Sequence, residues 1–413
     1  MQYDLIVVGS GAAGMMAAIT AARRGSRVLL LEKLSKIGAK LKATGGGRCN
    51  LTNTLDNETF MQRFGRDGKF MMNALKTFDH VALRAFFEEI GVKSHAPDGY
   101  RVFPVTHSSQ TIINAMSDEM AKLGVEVRCG EKVIALEHDG IQVSGVKTEK
   151  ECFDANAVVV ATGGKGYPML GAEGDGYEIA KATGHKVTPL YPAMMPLKVK
   201  EKWVEACRAD TIAKVELRVN MKKYKKLYAK GDLIFTKEGI RGPVVLDFSR
   251  EITPLLSKFE EVPLLANFTK GMNEEQLRMY FKKYVTAHPE STLLEVMTTL
   301  LPESLSRQLC ILADTDPNKT PTKQNGEARD KLFKLLVWTP LTVNGHEGFK
   351  MAMITRGGVH LKEIDPYTMQ SRRLKGLYFC GEVLNLDGPC GGYNLQWAFS
   401  SGYLAGNSVL HML

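Results

Sequence analysis

The sequence lacks every cysteine arrangement that normally reports a cysteine-based function. Its seven cysteines are an odd number, and no two of them form a C-x-x-C pair. Disulfide frameworks, structural zinc sites and thioredoxin-type dithiols each depend on paired cysteines at characteristic spacings. We therefore predict no metal site and no dithiol chemistry, and we expect a reducing, cytoplasmic setting.

The sequence also lacks a stretch that predicts a membrane span. Residues 5–22 hold no charged side chain, but acidic Asp4 precedes them and three glycines interrupt them. Residues 388–413 are uncharged as well, yet they contain Asn394, Gln396 and His411. Secretory leaders begin with a basic region, and membrane helices are predominantly apolar. We expect both stretches to be buried helices and predict no membrane partner.

The composition has neither the Gly-X-Y period of collagen nor the low hydrophobicity of a disordered chain. With 413 residues, 44% of them hydrophobic, the chain is long enough for two or three packed units. The 39 glycines are a mild enrichment. Since glycine allows close backbone approach, this enrichment predicts turns around a ligand.

The positive charge of the chain is modest but unevenly distributed. Lysine and arginine together exceed aspartate and glutamate by nine, which favours solubility and weak attraction to anions. Seven basic residues lie within 214–230, around a predicted turn at Asn220 and Met221. We interpret this segment as an edge hairpin that its lysines protect from aggregation. A patch for nucleic acid or an acidic partner is the alternative.

The first 32 residues have the order of elements that dinucleotide binding requires. An apolar strand at 4–8 is followed by Gly9, Gly11 and Gly14, an Ala- and Met-rich helix at 15–24, and a second apolar strand ending in Glu32. In this arrangement the glycines permit a tight turn, close approach of a pyrophosphate and close packing of helix on strand. The acidic residue accepts hydrogen bonds from a ribose. The motif alone does not choose between FAD and NAD.

Four further glycine-containing segments lie at the two ends of the chain. They are residues 44–53, 158–164, 376–382 and 387–396, and the last opens the uncharged C-terminal helix. Backbone from so many places suits a dinucleotide with a large flavin ring better than NAD. The glycine distribution therefore favours FAD.

The segments 43–53 and 378–402 closely resemble the bacterial flavoproteins grouped as HI0933-like. That family includes the bile-acid reductase BaiN and an aminoacetone oxidase, and the resemblance covers nearly the full chain. It implies an α/β fold with a glutathione-reductase-like Rossmann domain that binds FAD non-covalently and is interrupted by an insert. By resemblance, Glu32 and Lys33 contact the adenosine, and Val133 contacts the adenine through its backbone. The helix after Gly391 approaches the flavin ring.

The predicted cofactor-binding residues come from all five glycine-containing segments and from the positions that the family adds. They are Gly9, Ser10, Gly11, Ala12, Ala13, Gly14, Glu32, Lys33, Lys40, Thr44, Gly45, Gly46, Gly47, Arg48, Cys49, Asn50, Val133, Ala161, Thr162, Gly163, Gly164, Gly381, Glu382, Asp387, Gly391, Gly392, Tyr393, Asn394, Leu395 and Gln396.

The middle of the chain differs from its ends and predicts an inserted domain. We assign 1–188 and 349–413 to the FAD-binding domain and 189–348 to the insert. Residues 191–250 alternate in polarity and indicate short antiparallel strands, whereas 274–336 show helical spacing. The prediction is a small β-barrel at about 189–272 plus 337–348, and a helical bundle at about 273–336.

The chemistry is expected to belong to the flavin. The sequence has no second G-x-G-x-x-G motif and hence no dedicated NAD(P)H domain, although NAD(P)H remains a candidate transient electron donor. The catalytic residues cannot be fixed from the sequence. Candidates are Arg101 and His107, which the resemblance places near the flavin, and Arg356, which can hold a carboxylate; a structural role for each is an equal alternative.

Three functions follow in order of preference. The first is an NAD(P)H-linked reductase of an activated C=C bond in a small molecule, as the resemblance to the bile-acid reductase implies. The second is a flavin amine oxidase of the aminoacetone type that produces H₂O₂. The third is a flavoprotein that acts on RNA through the basic segment, which we rank last because only Tyr224 and Tyr228 are interleaved with the basic residues. The sequence carries no indication of oligomeric state.

Overall fold

The computed structural model of the chain describes residues 2–409 and divides it into two units. One unit comprises the residues up to Pro192 and those from Met353 onward, and the other comprises Ala193–Ala352. The boundaries predicted from the sequence are 188/189 and 348/349. Met1 and residues 410–413, which the prediction includes in the FAD-binding domain, lie outside the described residues.

The two units contain both strands and helices, and their bounds are as follows. The strands are β1 Tyr3–Val8, β2 Val28–Glu32, β3 Thr52–Asn53, β4 Ser94–His95, β5 Arg101–Pro104, β6 Glu126–Cys129, β7 Val133–His138, β8 Val143–Thr148, β9 Cys152–Val160, β10 Tyr191–Ala193, β11 Leu197–Val199, β12 Thr211–Val219, β13 Tyr228–Phe235, β14 Gly239–Arg241, β15 Val262–Asn267, β16 Thr339–His346, β17 Ile354–Arg356 and β18 Leu377–Phe379. The helices are α1 Ala12–Arg23, α2 Ala39–Ala43, α3 Asn57–Gln62, α4 Met72–Thr77, α5 His80–Glu89, α6 Ser109–Lys122, α7 Asp175–Ala182, α8 Pro243–Phe259, α9 Glu274–Ala287, α10 Leu293–Thr298, α11 Glu303–Ala313, α12 Gly326–Val337 and α13 Tyr393–Ser408.

A buried parallel sheet forms the centre of the first unit. Its strands lie in the order β6-β2-β1-β9-β18, all parallel to their neighbours, and β8 and β7 extend the sheet antiparallel from the first half of β9. Leu5, Ile6 and Val7 of β1 are fully buried, as expected for a strand covered on both faces. The predicted Rossmann-like α/β fold is confirmed.

Small residues bring α13 directly onto α1. A Cβ atom at Gly402 would lie 2.2 Å from the Ala13 carbonyl oxygen, and one at Gly406 would lie 2.4 Å from that of Ala17. Both helices are therefore locked against each other through their backbones. Across residues 2–409, no helix combines the length and the apolar character that crossing a membrane requires.

The second unit is built on a closed barrel. Six antiparallel strands follow one another around it in the order β11-β14-β13-β12-β15-β16, and β16 pairs with β11 to close the ring. Inward-facing residues such as Val215, Leu217 and Leu264 are fully buried. Four helices, α9 to α12, lie between β15 and β16 in the chain. The predicted combination of a small barrel and a helical bundle is confirmed.

One helix of the second unit contradicts the sequence interpretation of 191–250 as strands. Helix α8 begins at Pro243, after Gly242 with φ 105°. Proline suits the first position of a helix because its fixed φ is helical and it needs no N–H partner there. The helical spacing of the apolar residues beyond it was obscured by the alternating segment before it. The apolar residues of its buried face are Val244, Val245, Phe248, Ile252, Leu255 and Leu256.

The predicted hairpin of the basic segment is confirmed, since β12 pairs antiparallel with β13, but its predicted position at a sheet edge is wrong. Strand β12 is hydrogen-bonded to β13 on one side and to β15 on the other, and β13 is bonded to β12 and β14. A closed barrel has no free edge that would need protection. The lysines of residues 214–230 therefore need another explanation.

Candidate functional site

A long cleft opens at the carboxyl ends of β1, β2, β9 and β18, where ligands bind in open α/β sheets. The space between its walls, measured out to open solvent, is about 1190 Å³. Seventeen of the thirty predicted cofactor residues line it: Gly9, Ser10, Gly11, Ala12, Ala13, Glu32, Lys33, Lys40, Thr44, Val133, Ala161, Thr162, Gly163, Gly381, Glu382, Asn394 and Leu395.

The three glycines of the first turn have three different surroundings. Gly9 has φ 101°, and a Cβ there would lie 2.7 Å from the Ala161 carbonyl oxygen. A Cβ at Gly14 would lie 1.9 Å from the Gly9 carbonyl oxygen, whereas a Cβ at Gly11 would meet no atom within 4 Å. Gly9 and Gly14 thus permit close backbone packing, and Gly11 leaves open space in the cleft that fits an approaching phosphate.

Two helix N-termini open into this cleft without a side-chain cap. Neither the first turn of α1 nor that of α13 contains an acidic residue, and no side chain caps either helix. Ala12 and Ala13 of α1 and Asn394 and Leu395 of α13 line the cleft. Because the first N–H groups of a helix lack partners within it and carry partial positive charge, both ends attract negative charge.

The Glu32 carboxylate is held in place at the end of β2. One oxygen, Oε2, accepts hydrogen bonds from the Ser10 backbone N–H at 3.0 Å and from the Ser10 hydroxyl at 2.5 Å. The other, Oε1, accepts from the Leu34 N–H at 2.9 Å. A carboxylate offers about four acceptor positions, so a fixed carboxylate remains able to accept from a ribose hydroxyl.

A second carboxylate, Glu382, lies on the opposite side of the cleft and is paired with Lys40. Lys40 Nζ lies 2.8 Å from Glu382 Oε2, and the Thr355 N–H donates to Glu382 Oε1 at 2.9 Å. Gly164 lies beneath this carboxylate, since a Cβ there would be 2.6 Å from Glu382 Oε1. Gly164 thus supports the site without lining it.

Lys33 is ion-paired at the end of the cleft near α7. Its Nζ lies 2.5 Å from Asp175 Oδ2 and 2.6 Å from Glu173 Oε2. Burial acts to lower the pKa of Lys33, but the hydrogen bonds to Asp175 and Glu173 outweigh it and raise the pKa. The ammonium is therefore neutralised by protein carboxylates, and its aliphatic part forms the cleft wall.

Thirteen predicted cofactor residues do not line the cleft. Asn50, with its amide oriented to satisfy its neighbours, donates to the Thr52 and Val102 carbonyls and accepts from the Gly392 N–H. Position 392 requires glycine, because a Cβ there would lie 2.5 Å from the Thr52 carbonyl oxygen. These residues fasten the start of α13 to β3. The thirteen predicted cofactor residues that do not line the cleft are Gly14, Gly45, Gly46, Gly47, Arg48, Cys49, Asn50, Gly164, Asp387, Gly391, Gly392, Tyr393 and Gln396.

Two side chains of α13 point into the protein core. Gln396 is 1% exposed and donates from Nε2 to the Phe78 carbonyl at 3.1 Å and to the Ser400 hydroxyl at 2.8 Å. The Tyr393 hydroxyl lies 2.5 Å from that of Tyr100, a residue that the sequence interpretation did not single out. Both side chains anchor α13, and the helix presents its first turn to the cleft.

The structure does not bring the three catalytic candidates together, and none of them lines the cleft. Arg101 pairs with Asp98 at 2.7 Å, and this hydrogen bond lowers the pKa of Asp98 to about 2. His107 is exposed, with φ 50°, and its ring lies 4.7 Å from that of His95. Arg356 lies 3.8 Å from the Asp387 carboxylate. Their catalytic roles stay predictions.

Several cleft residues carried no signal in the sequence. Glu131 and Lys132 directly precede the predicted residue Val133, but nothing in the sequence singled them out. The others belong to short loops without a glycine motif, to the start of α7 or to the start of β17, and only the fold brings them to the cleft. They include Leu170, Gly171, Ala172, Asp175, Met353 and Ile354.

The buried cysteines are expected to resist alkylation in the folded protein. Burial raises the pKa of Cys49 to about 12, with the Thr44 hydroxyl partly opposing it, and burial likewise raises that of Cys380. At pH 8 a thiol of pKa 12 is ionised to only ~10⁻⁴. Iodoacetamide should modify exposed Cys129 and Cys152 and spare Cys49 and Cys380, as measured by peptide mass spectrometry. Rapid modification of Cys49 in folded protein would contradict this assignment.

The model of the HI0933-like protein Rossmann domain matches residues 3–408. The chain belongs to the HI0933-like family. The members of this family are FAD-dependent oxidoreductases.

Two curated relatives match this HI0933-like chain over almost its whole length. The 3-dehydro-bile acid delta(4,6)-reductase of Clostridium scindens is 33% identical over 411 residues, which cover 98% of both chains. The ribosomal RNA dihydrouridine synthase of Escherichia coli is 29% identical over 414 residues, covering 99% of this chain and 98% of the relative. Among solved structures, the 3-ketosteroid delta1-dehydrogenase of Sterolibacterium denitrificans matches with a TM-score of 0.55 and 12% identity, with full coverage of both chains. That match concerns the fold alone.

Proposed function

We propose that the chain binds FAD non-covalently in the cleft of the first unit and reduces a conjugated C=C bond. The observation that carries the cofactor proposal is the pair of uncapped helix N-termini, α1 and α13, that open into one cleft with no acidic residue in either first turn. FAD has two places that demand such ends, the pyrophosphate and the flavin ring, which is anionic when reduced. NAD would use only one.

The residues of the cleft divide the work of holding this cofactor. The first turn of α1, with the open space at Gly11, receives the pyrophosphate. Glu32 accepts from the adenosine ribose, and Glu382 with Lys40 contacts the ribityl and phosphate region. The first turn of α13 stabilises negative charge on the pyrimidine side of the ring. Bound there, FAD would supply hydride to the substrate.

The reaction class is supported by what the two full-length relatives are named for. A delta(4,6)-reductase acts on double bonds conjugated with a ketone. Dihydrouridine differs from uridine by saturation of the C5–C6 bond, which in uridine is conjugated with a ring carbonyl. Both names thus describe saturation of a C=C bond conjugated with a carbonyl, which needs one hydride at an electrophilic carbon of the conjugated system and one proton. The substrate is proposed to be such a system, with NAD(P)H as the electron donor.

Anaerobic titration of the purified holoprotein tests this proposal. NADH or NADPH should bleach the flavin absorbance near 450 nm, and a conjugated enone such as a 3-keto-Δ4-steroid should restore it without oxygen. Substitution of the enone by its saturated analogue is the matched control and should leave the flavin reduced. Recolouring by air alone, with rapid H₂O₂ formation from aminoacetone, would favour the amine oxidase instead.

A second candidate substrate is a uracil base in RNA. The sequence interpretation ranked RNA last, but a full-length relative is named for that chemistry, and the basic segment has lost its structural explanation as an edge. Incubation of the reduced holoprotein with ribosomal RNA lacking dihydrouridine should then yield dihydrouridine, measured by nucleoside mass spectrometry. Formation of dihydrouridine together with no response to enones would reverse the order of the two substrates.

A further inference from the structure

Alternate residues of the two strands in the basic segment share one outer face of the barrel. In the register of β12 and β13, Glu216 lies opposite Lys230 and Arg218 lies opposite Tyr228. Residues two apart on a strand point to the same side, so all four side chains share the outer face. Together with Lys225 and Lys226 they line an open cleft. We call these six residues the basic face.

This segment carries most of the net positive charge of the chain. Residues 214–230 contain seven basic side chains and one acidic side chain, a net charge of +6 out of +9 for the whole chain. Within residues 2–409, no carboxylate lies within ion-pair distance of Lys222, Lys223, Lys225 or Lys226. Four adjacent ammonium groups without counter-charges attract a polyanion.

The single acid of the segment organises the face. Glu216 is 4% exposed, and its carboxylate pairs with both Arg218 and Lys230. Burial acts to raise the pKa of Glu216, but its hydrogen bonds to Lys230 and Arg218 outweigh it and lower the pKa. The carboxylate is therefore ionised and fixes two cations in position, and these two cations share its one negative charge.

Aromatic rings lie among these cations. The Arg218 guanidinium carbon lies 4.6 Å from the centroid of the Trp338 ring, which holds the guanidinium flat. The Tyr228 side chain is 59% exposed and belongs to the same face. An exposed aromatic ring beside a row of cations is the arrangement on which bases of a single strand stack while its phosphates are neutralised.

The shape of the face favours a nucleic acid strand over a membrane. A lipid surface is bound by planar, amphipathic elements with apolar side chains that enter the bilayer. Here the cations line a shallow, open depression, and Tyr228 is the one aromatic side chain among the six residues of the basic face. One exposed aromatic ring offers a bilayer little apolar surface to bury, so charge and composition favour a flexible polyanion over a lipid surface.

We propose that the basic face binds single-stranded RNA, with phosphates at Lys225 and Lys226 and a base stacked on Tyr228. The inference deepens the second candidate of the proposed function, on which it rests for the choice of RNA. The inference concerns an RNA-binding surface on the second unit. Binding of RNA there requires no turnover of the flavin.

Fluorescence anisotropy of a labelled 20-nucleotide uridine-rich RNA tests the surface. The full-length holoprotein is titrated at 50, 100 and 200 mM KCl. We expect affinity to fall with salt, because each neutralised phosphate contributes about −0.7 to the slope of log K against log salt. Lys225→Glu/Lys226→Glu should reduce the magnitude of this slope by at least about 1.4, which corresponds to two lost contacts.

Three further variants separate a specific surface from general positive charge. Tyr228→Ala should weaken binding about tenfold with an unchanged salt slope, because a stacked base contributes without neutralising phosphate. Tyr228→Phe should retain wild-type affinity and guards against misfolding of the alanine variant. Lys282→Glu/Lys283→Glu, two exposed lysines of α9, is the matched charge control and should leave the slope unchanged.

The following results would contradict the proposed RNA-binding surface or one of the proposed reactions. Absence of binding by wild-type protein at 50 mM KCl overturns the inference, as does an equal loss from the α9 control. Binding to phosphatidylglycerol vesicles but not to RNA would assign the face to membranes. RNA binding without dihydrouridine formation leaves this surface in place and removes the second candidate function. Failure of enone reduction bears only on the proposed reaction.

Discussion

Gly11→Asp is expected to yield folded protein that has lost its flavin. Gly11 has φ −73°, which any residue can adopt, and a Cβ there meets no atom within 4 Å. Aspartate is also a favourable residue before the first turn of a helix, since its carboxylate accepts from the free N–H groups. The same carboxylate would occupy the N–H groups that the pyrophosphate needs and repel it.

The expected size of this effect is large for FAD and small for the fold. We expect the dissociation constant for FAD to rise at least about 100-fold, or about 2.8 kcal/mol. The flavin-free chain should be as stable as wild type or a few tenths of a kcal/mol more stable. Flavin absorbance per protein after purification, titration of FAD by fluorescence quenching and urea unfolding measure the two quantities.

Two matched variants make the result interpretable. Gly11→Asn provides the same helix cap without the charge, so it should weaken FAD binding less than Gly11→Asp. Gly326→Asp introduces the same side chain at the start of α12, at a glycine that also has no neighbour within 4 Å of a Cβ. It should leave flavin content unchanged. FAD bound at wild-type affinity by Gly11→Asp would contradict the placement of the pyrophosphate at α1.

The contributions of individual glycines show what a sequence can predict about such a site. The spacing of Gly9, Gly11 and Gly14 between an apolar strand and a helix predicts a phosphate site, because each position has a separate steric requirement. The structure matches all three requirements. It does not follow that every glycine near a motif contacts the ligand: Gly164 and Gly392 leave room for Glu382 and for the Thr52 backbone.

Contacts between residues that are far apart in the chain could not be predicted from the sequence. Asp175 reaches the cleft only because α7 begins beside Lys33, and the hydrogen bond between the two joins residues 142 positions apart. The misinterpreted segments have a similar cause. Whether β12 and β13 lie at an edge depends on β14 and β15, and the local pattern contains no information about pairing partners. The same local pattern hid the beginning of α8.

Gly14→Ala is expected to destabilise the first unit strongly, although helix propensity alone predicts that alanine stabilises a helix. Alanine is favoured over glycine within a helix by about 1 kcal/mol. At Gly14, however, the added Cβ would lie 1.9 Å from the Gly9 carbonyl oxygen and 3.3 Å from the Ala161 Cβ. Backbone cannot yield as a flexible side chain can, so α1 must move away from β1 and β9. We expect a loss of about 3 kcal/mol or more.

The matched control lies in the same turn. Gly11→Ala adds the same atom three residues earlier, into open space, and should change the free energy of unfolding by less than about 0.5 kcal/mol. Urea unfolding of the flavin-free protein measures both.

Trp397 is buried in the first unit, so its fluorescence reports that unit once Trp203 and Trp338 of the second unit are replaced by phenylalanine. Equal stability of the two alanine variants would mean that α1 does not need Gly14 to approach the sheet. A loss confined to Gly14→Ala would show that one glycine of the motif serves the fold, and would leave Gly11 to serve the ligand.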